Sequence, residues 1–263
     1  MKDSDSFLQA EKNLFSKFTY MPEIFGYKIT EDNSVRIIDC QLKTSMFNIA
    51  CNTKFAERDI ENKIRYVIDQ YNGSPFAWWV GPTDTPNNLQ DNILKAGLEK
   101  ETDEYAMFCD LSDFQEFELD TNILVKQIET HQELLDFIEV ISFYDQHVSE
   151  FLDNELVISD QVRAKNPMFV SYIDEKPVGI GALHFNNGIA GIYDIITPES
   201  LRGKGIGTNI MKFLMNYAYK KNIKHLCLSA SSDSGFRIYE RLGFRVVGTF
   251  GCYEWVGLSK DEI

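Results

Sequence analysis

Three glycines and two cations stand within six consecutive positions, Arg202-Gly203-Lys204-Gly205-Ile206-Gly207. An apolar run typical of a strand precedes this segment at 189–196, and an amphipathic helix pattern follows at 205–220. Glycine lets the backbone approach a ligand closely and adopt angles that other residues avoid. The free N–H groups of a first helical turn, with the helix dipole behind them, attract phosphate. The segment therefore predicts an anion site made from backbone at a strand-to-helix turn.

Two other phosphate-binding patterns do not fit this segment. A P-loop requires GxxxxGK[ST], but Lys204 is followed by Gly205. A Rossmann turn requires GxGxxG with an acidic residue about twenty positions later. Here the spacing is GxGxG, and the later residues are the apolar Leu226-Cys227-Leu228. The turn is therefore predicted to bind phosphate in a different fold.

The charge of the chain is strongly negative but uneven. A net charge of −14 argues against nonspecific nucleic-acid binding, because that binding needs a basic face. Residues 199–245 nevertheless hold nine basic side chains against three acidic ones. Arg202 and Lys204 place part of this charge at the glycine turn, where it would steer an anionic ligand. The lysines at 220–224 are interpreted as a solvated helix face.

Cysteine and histidine usage predicts no metal and no disulfide framework. The five cysteines are odd in number and dispersed without a CxxC spacing, and the four histidines form no HxxxH or HExxH pattern. Asp3 and Asp5 stand where a secretory signal would be basic and then apolar. No run reaches the roughly 18–20 apolar residues of a membrane span. We therefore expect a cytoplasmic protein with no membrane partner.

The order of predicted elements indicates a mixed α/β (α+β) chain with two domains. An acidic segment at 112–122 separates them as a candidate linker. In the second half, periodicity predicts a strand, a helix, a three-stranded meander, a helix, a strand, a helix and a final strand. Those elements fall at 123–128, 131–144, 168–173, 178–185, 189–196, 205–220, 225–230, 233–242 and 244–256. The predicted domains are 1–115 and 122–263.

Two motifs in this second half resemble those of the GNAT N-acetyltransferase superfamily. Arg202-x-x-Gly205-x-Gly207 resembles its [QR]xxGx[GA] motif. Ser232-x-x-Gly235-x-x-x-Tyr239-x-x-x-Gly243-Phe244 resembles its NxxAxxxYxxxGF motif, with Ser232 in place of Asn and Gly235 in place of Ala. The resemblance covers 123–256. It implies the GNAT fold, a mostly antiparallel central sheet flanked by helices.

The resemblance also implies a site for acetyl-CoA, with no metal. The cofactor would lie where the strand 189–196 splays from the strand 225–230. Backbone groups at 195–197 would pair with pantetheine and polarise the thioester carbonyl, and amides at 203–208 would hold the pyrophosphate. The implied cofactor-binding residues are Ile195, Ile196, Thr197, Arg202, Gly203, Lys204, Gly205, Ile206, Gly207, Thr208 and Ser232.

Tyr239 and Asp194 are the candidate catalytic residues. The resemblance makes Tyr239 the general acid that protonates the departing CoA thiolate, and packing between helix and sheet is the alternative role. The attacking amine must be neutral, so a base is needed. Asp194, His184 and a carboxylate from the helix after 146 are the candidates for that base.

The first half resembles a degenerate second copy of the same fold. ILKAGL before one strand parallels YERLGF before another, but no RxxGxG equivalent is present, so we expect no cofactor there. The segment 75–86 resembles a stretch of bacterial tandem acetyltransferases. Trp78 and Trp79 within it are candidates for an acceptor pocket or for core packing.

The sequence thus predicts an acetyl-CoA-dependent N-acetyltransferase that moves acetyl to a primary amine by direct attack. A small-molecule amine or a peptide N-terminus is the expected acceptor, with no nucleic acid, and the chain is expected to be a monomer or homodimer. The alternative is a non-catalytic acyl-CoA-binding or sensor protein, because Ser232, Gly235 and the lack of an obvious base depart from an active enzyme.

Overall fold

The computed structural model describes residues 1–256, and of Thr102 the backbone only. Two compact units divide these residues. The first contains Met1–Ala106 together with the chain from Gly248, and the second is Met107–Val247.

The first unit begins with a long helix and continues with alternating strands and helices. In chain order these are α1 (Asp3–Ile24), β1 (Lys28–Glu31), β2 (Arg36–Asp39), β3 (Ile49–Cys51), α2 (Ile60–Gln70), β4 (Phe76–Val80), α3 (Leu89–Lys95) and β5 (Glu99–Asp110). Strands β1, β2 and β3 pair antiparallel in sequence, whereas β3 and β4 pair parallel because α2 crosses between them. The core contains stacked aromatics such as Tyr71 on Phe76, whose ring centroids are 4.1 Å apart.

The remaining elements lie in the second unit, except that the last strand passes from the second unit into the first at Gly248. In chain order these are β6 (Leu124–Gln127), α4 (His131–Ser142), α5 (Val148–Leu152), α6 (Asp160–Lys165), β7 (Met168–Ile173), β8 (Lys176–Asn186), β9 (Ile189–Ile196), α7 (Ile206–Lys220), β10 (His225–Ala230), α8 (Asp233–Arg241) and β11 (Arg245–Trp255). The meander β6–β7–β8–β9 is antiparallel, and β9 and β10 pair parallel across the α7 crossover. The predicted Asn-Gly hairpin turn is confirmed, since Asn187 and Gly188 have φ of 49° and 77°.

Helix α7 lies very close to the sheet of the second unit. Gly179 and Gly181 on β8 face it, and a Cβ at Gly181 would lie 2.8 Å from Ile210 Cγ2 and 3.0 Å from Leu214 Cδ1. Since real Cβ contacts are longer, any larger residue here would push α7 outward. The two glycines therefore set the distance of α7, and of the turn at its N-terminus, from the sheet.

The predicted linker at 112–122 is an ordered segment that is hydrogen-bonded to α7. Buried Asn216 binds both backbone groups of Phe117, accepting from its N–H and donating to its carbonyl, each at 2.9 Å. Buried Asn209 accepts from Asp120 N–H at 2.8 Å and donates to the Ile123 carbonyl at 3.2 Å. These side chains satisfy backbone groups that a loop would otherwise leave to water.

The mixed α/β class and the GNAT-type strand order predicted from the sequence are confirmed. The chain from Gly248, however, belongs to the first compact unit. There β11 pairs antiparallel with β4 through partners such as Gly251 and Val80. The sequence placed all of 122–263 in one domain. The predicted boundaries, 1–115 and 122–263, follow the expected tandem repeat and stay a prediction.

Candidate active site

The central feature of the second unit is the divergence of its two parallel strands. The register between β9 and β10 runs from Ile189↔His225 to Gly191↔Cys227. Both strands continue beyond that last pair, β9 to Ile196 and β10 to Ala230. The pairing therefore ends before 192–196 and 228–230, which is where the resemblance to GNAT proteins implies a cleft.

A β-bulge shapes the β9 side of this cleft. One residue of β8 lies between Ile180 and Ala182, whereas two residues of β9 lie between their partners Ile196 and Tyr193. The extra residue falls at Asp194, whose φ of 57° is left-handed, a conformation that Asp tolerates better than most residues. The bulge breaks the alternation of the strand, so the residues after it change the face that alternation alone would give them.

The glycine segment forms an open turn before α7. Gly203 and Gly205 have φ of 79° and 81°, and a Cβ at either would meet no atom within 4 Å. Gly205 is the N-cap of this helix and, having no side chain, leaves the first-turn amides uncapped. Arg202 and Lys204 are both exposed beside it. Conformation, rather than crowding, thus requires glycine here.

Thr197 joins β9 to this turn and carries an unsatisfied polar atom. Its Oγ1 is buried and has no hydrogen-bond partner among the described residues. The Arg202 side chain donates from Nε to the Thr197 carbonyl at 3.4 Å, which ties the two ends of the turn. A buried hydroxyl without a partner is costly in a folded protein, so its position beside the cleft favours a bound ligand.

The second motif forms the start of α8. Ser232 is the N-cap, and its Oγ accepts from the Gly235 N–H at 3.2 Å. Tyr239 lies one turn further along the helix, partly buried, with its ring edge-to-face with Phe244 at 6.3 Å. The structure therefore gives Ser232 a structural role as a cap, which the sequence prediction of a cofactor contact did not include.

The candidates for the base differ in accessibility. His184 is fully buried, and its Nδ1 lies 3.2 Å from Asn166 Oδ1, so an amine from solvent does not reach it. Asp194 is partly exposed on the bulged strand at the cleft. Glu150 on α5 is exposed, and His147 approaches it at 4.0 Å. Accessibility thus favours the two carboxylates over His184.

The basic residues predicted around the turn fall into two groups. Lys212 lies over the Phe117 ring, Lys221 lies over the Tyr217 ring, and Lys220 pairs with Glu116 at 2.8 Å. These three are engaged along α7, whereas Arg202 and Lys204 remain at the turn. Of these five basic residues, Arg202 and Lys204 are the ones placed to act on a ligand at the turn.

The donor set of this cleft fits a diphosphate carrying an extended amide chain. The uncapped amides and two cations at the α7 N-terminus suit the diphosphate, and the diverging strand edges suit backbone pairing with amides. Among the described residues no group of three or more His, Cys, Asp or Glu is arranged to hold a metal. Within the same residues, no helix is both long and apolar enough to cross a membrane.

The first unit has a corresponding pair of parallel strands, but its cleft is bridged by protein. Beyond the last register pair, Ala50↔Trp78, Lys54 and Thr85 form a further parallel bridge. Thr85 N–H donates to the Thr53 carbonyl at 3.0 Å, and Phe55 N–H donates to the Thr85 carbonyl at 3.1 Å. The strands of this unit are thus followed by hydrogen-bonded loops where those of the second unit separate.

Aromatic and acidic side chains fill the region around this bridge. Trp78 is fully buried, and its Nε1 donates to Thr53 Oγ1 at 3.0 Å, which favours the core role over an acceptor pocket. Asp84 accepts from the backbone amides of Thr53 and Gly81. Its burial, and then the charge of Glu11, raise the pKa of Asp84 to about 7. Burial also raises the pKa of Glu11.

Trp79, the other tryptophan of that segment, is partly buried in an aromatic cluster. Its ring lies 5.1 Å from Phe18 and 6.2 Å from Phe250. Nothing in this packing distinguishes an acceptor pocket from a core cluster, so its role stays a prediction.

Comparisons with known proteins agree with this geometry. Residues 128–244 match the acetyltransferase (GNAT) family. An uncharacterized N-acetyltransferase of Methanocaldococcus jannaschii is 31% identical over 91 residues, which cover 31% of this chain and 40% of that protein. The match therefore spans less than half of that relative's length.

Solved structures extend the likeness to nearly the whole chain. A GCN5-related N-acetyltransferase from Kribbella flavida superposes with a TM-score of 0.70 at 12% identity, over 95% of this chain and 97% of that one. A tandem GNAT protein from the clavulanic acid biosynthesis pathway gives 0.56 at 12% identity, over 81% and 76%. At such identities the structures establish the fold alone. Together these findings show a GNAT-type domain at 128–244 and a GNAT-type fold over most of the chain. The family match covers the region that holds the glycine turn, and the rest of the chain is similar in fold to solved GNAT structures, a tandem one among them.

Proposed function

We propose that the protein is an acetyl-CoA-dependent N-acetyltransferase that moves acetyl to a primary amine by direct attack. The observation that carries this proposal is the divergence of β9 from β10 beside the open glycine turn. Backbone donors and acceptors meet there with an uncapped helix N-terminus. Acetyl-CoA would supply an activated acyl group on a thiol leaving group.

The residues at the turn would hold the diphosphate. Amides at 203–208 would donate to it, and Arg202 and Lys204 would offset its charge. Backbone groups at 195–197 would align the acyl chain, and a donor there would stabilise negative charge that develops on the carbonyl oxygen. The unsatisfied Thr197 hydroxyl is placed to gain a partner when the cleft is filled.

Two side chains would handle protons. Asp194, on the bulge at the cleft, would take the proton that the amine must lose before it attacks. Tyr239 would donate a proton to the thiolate. Since a thiol with a reference pKa of about 8.5 is a tolerable leaving group, this help is useful rather than essential.

The first unit would take no cofactor. The loop after its β3 has no glycine pair, and hydrogen bonds join that loop to the segment after β4. The anion bound by its amides is the carboxylate of Asp84. These contacts are those expected of a degenerate repeat in which the Asp84 carboxylate lies where a cofactor phosphate would otherwise bind.

Thiol release tests the proposed activity directly. Acetyl-CoA would be mixed with a panel of small amines and peptides with free N-termini, and cationic acceptors are preferred in the panel because the chain is acidic. We expect amine-dependent release of CoA. Tight binding without turnover across the panel would instead favour the acyl-CoA sensor, which the changed residues Ser232 and Gly235 keep as the second candidate.

Tyr239→Phe tests the acid role separately. The variant keeps the ring and its contact with Phe244 but loses the hydroxyl, so we expect kcat to fall about tenfold, with the alkaline limb of the pH profile changed. Full turnover with a normal pH profile would remove the acid role and leave only packing.

A further inference from the structure

Gly235 lies directly beneath the side chain of Tyr239, one helical turn away. A Cβ at Gly235 would lie 3.1 Å from the Tyr239 hydroxyl, 3.2 Å from its Cε2 and 3.1 Å from Ser232 Oγ. These separations are shorter than ordinary carbon contacts. The tyrosine ring therefore occupies space that an alanine methyl would require.

The geometry of the helix explains this contact. Side chains four residues apart lie on one face and point toward the helix N-terminus, so Tyr239 extends back over residue 235. Because Gly235 has no Cβ, the ring packs directly against the helix, and its hydroxyl lies at the first turn of α8. Glycine is a weaker helix former than alanine. Glycine at 235 thus lowers the helix propensity of α8 but leaves space for the Tyr239 ring.

We infer that Gly235 is a positioning residue that sets where the Tyr239 hydroxyl lies. The inference rests on the proposed function, in which that hydroxyl donates a proton to the thiolate. The motif departure at 235 is then an adaptation of this chain rather than a loss of activity. Gly235 acts through Tyr239 and touches no substrate itself.

Gly235→Ala separates this role from a merely structural one. The methyl must displace the ring by a few tenths of an ångström, so we expect kcat to fall about 3- to 10-fold. The acetyl-CoA Kd should stay within about twofold, since the cofactor contacts at the α7 turn are untouched. Thermal stability should hold or rise, because alanine favours the helix.

Gly235→Val should lower kcat further. Loss of stability together with loss of binding would overturn the inference, because it would indicate damage to the cap at Ser232.

A double-mutant comparison shows whether Gly235 acts through Tyr239. In the Tyr239→Phe background, where the hydroxyl is gone, Gly235→Ala should change kcat by less than about twofold. An equal loss in both backgrounds, or an unchanged kcat in Gly235→Ala alone, would refute the inference. If Tyr239→Phe turns over too slowly to compare, the alkaline limb of the kcat profile decides: it must shift in Gly235→Ala.

Glu240→Ala is the matched control, since it changes helix propensity at an exposed position of the same helix. It should leave kcat and its pH profile unchanged. Failure of the proposed function would look different, because the wild-type protein would then release no thiol at all. A wild-type enzyme that turns over while Gly235→Ala matches it would sink only this inference.

Discussion

Gly203 and Gly205 adopt left-handed angles although the space around each α-carbon is open. A substitution at either position therefore meets no steric clash, and its effect comes from backbone conformation alone. The effect of the left-handed conformation on binding can therefore be measured here without a contribution from side-chain packing. At the scale of residues, the site depends on φ at two positions as much as on any side chain.

Gly205→Ala should weaken CoA binding about tenfold, because the left-handed conformation costs a non-glycine residue roughly 1–2 kcal/mol. The free loop would relax to a negative φ and would have to be restored on binding. Gly205→Asn is the matched variant, since Asn adopts this conformation more readily, and it should lose less affinity. Calorimetric titration with CoA makes the comparison. Equal affinities for the Ala and Asn variants would contradict the conformational explanation.

At the scale of elements, the segment 112–122 shows how a predicted linker becomes part of a helix surface. Asn209 and Asn216 lie on α7, and their backbone partners lie 86 to 99 residues away in the chain. Through them the segment is fixed to the same helix whose N-terminus forms the glycine turn.

Asn216→Ala should lower the free energy of unfolding by about 2 kcal/mol, because the N–H and the carbonyl of Phe117 would both lose their partner. Urea unfolding monitored by circular dichroism measures this. Lys220→Ala, which breaks the exposed pair with Glu116 on the same segment, serves as the control. It should cost only a small fraction of that amount. Equal losses for the two variants would show that the amide contacts add nothing beyond the surface charge.

Sequence periodicity predicted most elements because each covers a long, regular pattern. The meander, α7 and α8 fall within a few residues of their predicted bounds, and the glycine turn is where the motif placed it. The bulge at Asp194 was not predictable, since the residues around it continue an ordinary strand pattern. The Asn216 contacts were not predicted. An asparagine in a helix is typical of a surface position, and its partner Phe117 lies 99 residues away in the sequence.

The sequence shows that Gly235 replaces the usual Ala of the motif, but it does not show the close contact between Tyr239 and Gly235. Spacing shows that the two residues share a helix face, but not that the ring fills the missing Cβ position. Asp84 likewise reads as an ordinary turn residue after a strand. Its pKa is affected by Glu11, which is distant in sequence and accepts from the N–H of Thr83, 72 positions later.

At the scale of the whole molecule, the buried carboxylates make the first unit sensitive to pH. The folded pKa of Asp84, about 7, lies above its ordinary value of 3.8. Between those values the folded protein holds a proton that the unfolded chain has released, so stability falls as pH rises through this window. Above it, the full cost of burying the charge remains. Glu11, whose pKa is also raised, adds in the same direction.

Asp84→Asn should flatten this dependence because the amide does not titrate. All three tryptophans of the chain, Trp78, Trp79 and Trp255, belong to the first unit, so their fluorescence reports its unfolding. Urea titrations from about pH 5 to about pH 8 should show stability falling in the wild type and falling less in the variant. Identical slopes, whatever the absolute stabilities, would contradict the titration of Asp84.

The proposed activity requires that backbone amides at the α7 N-terminus bind a diphosphate in the second unit. Calorimetry with CoA and, separately, with pantetheine, which lacks the diphosphate, tests this most directly. We expect CoA to bind with a stoichiometry of one per chain and pantetheine to give no measurable heat at the same concentration. No heat from CoA, or equal affinity for the two compounds, would contradict that requirement.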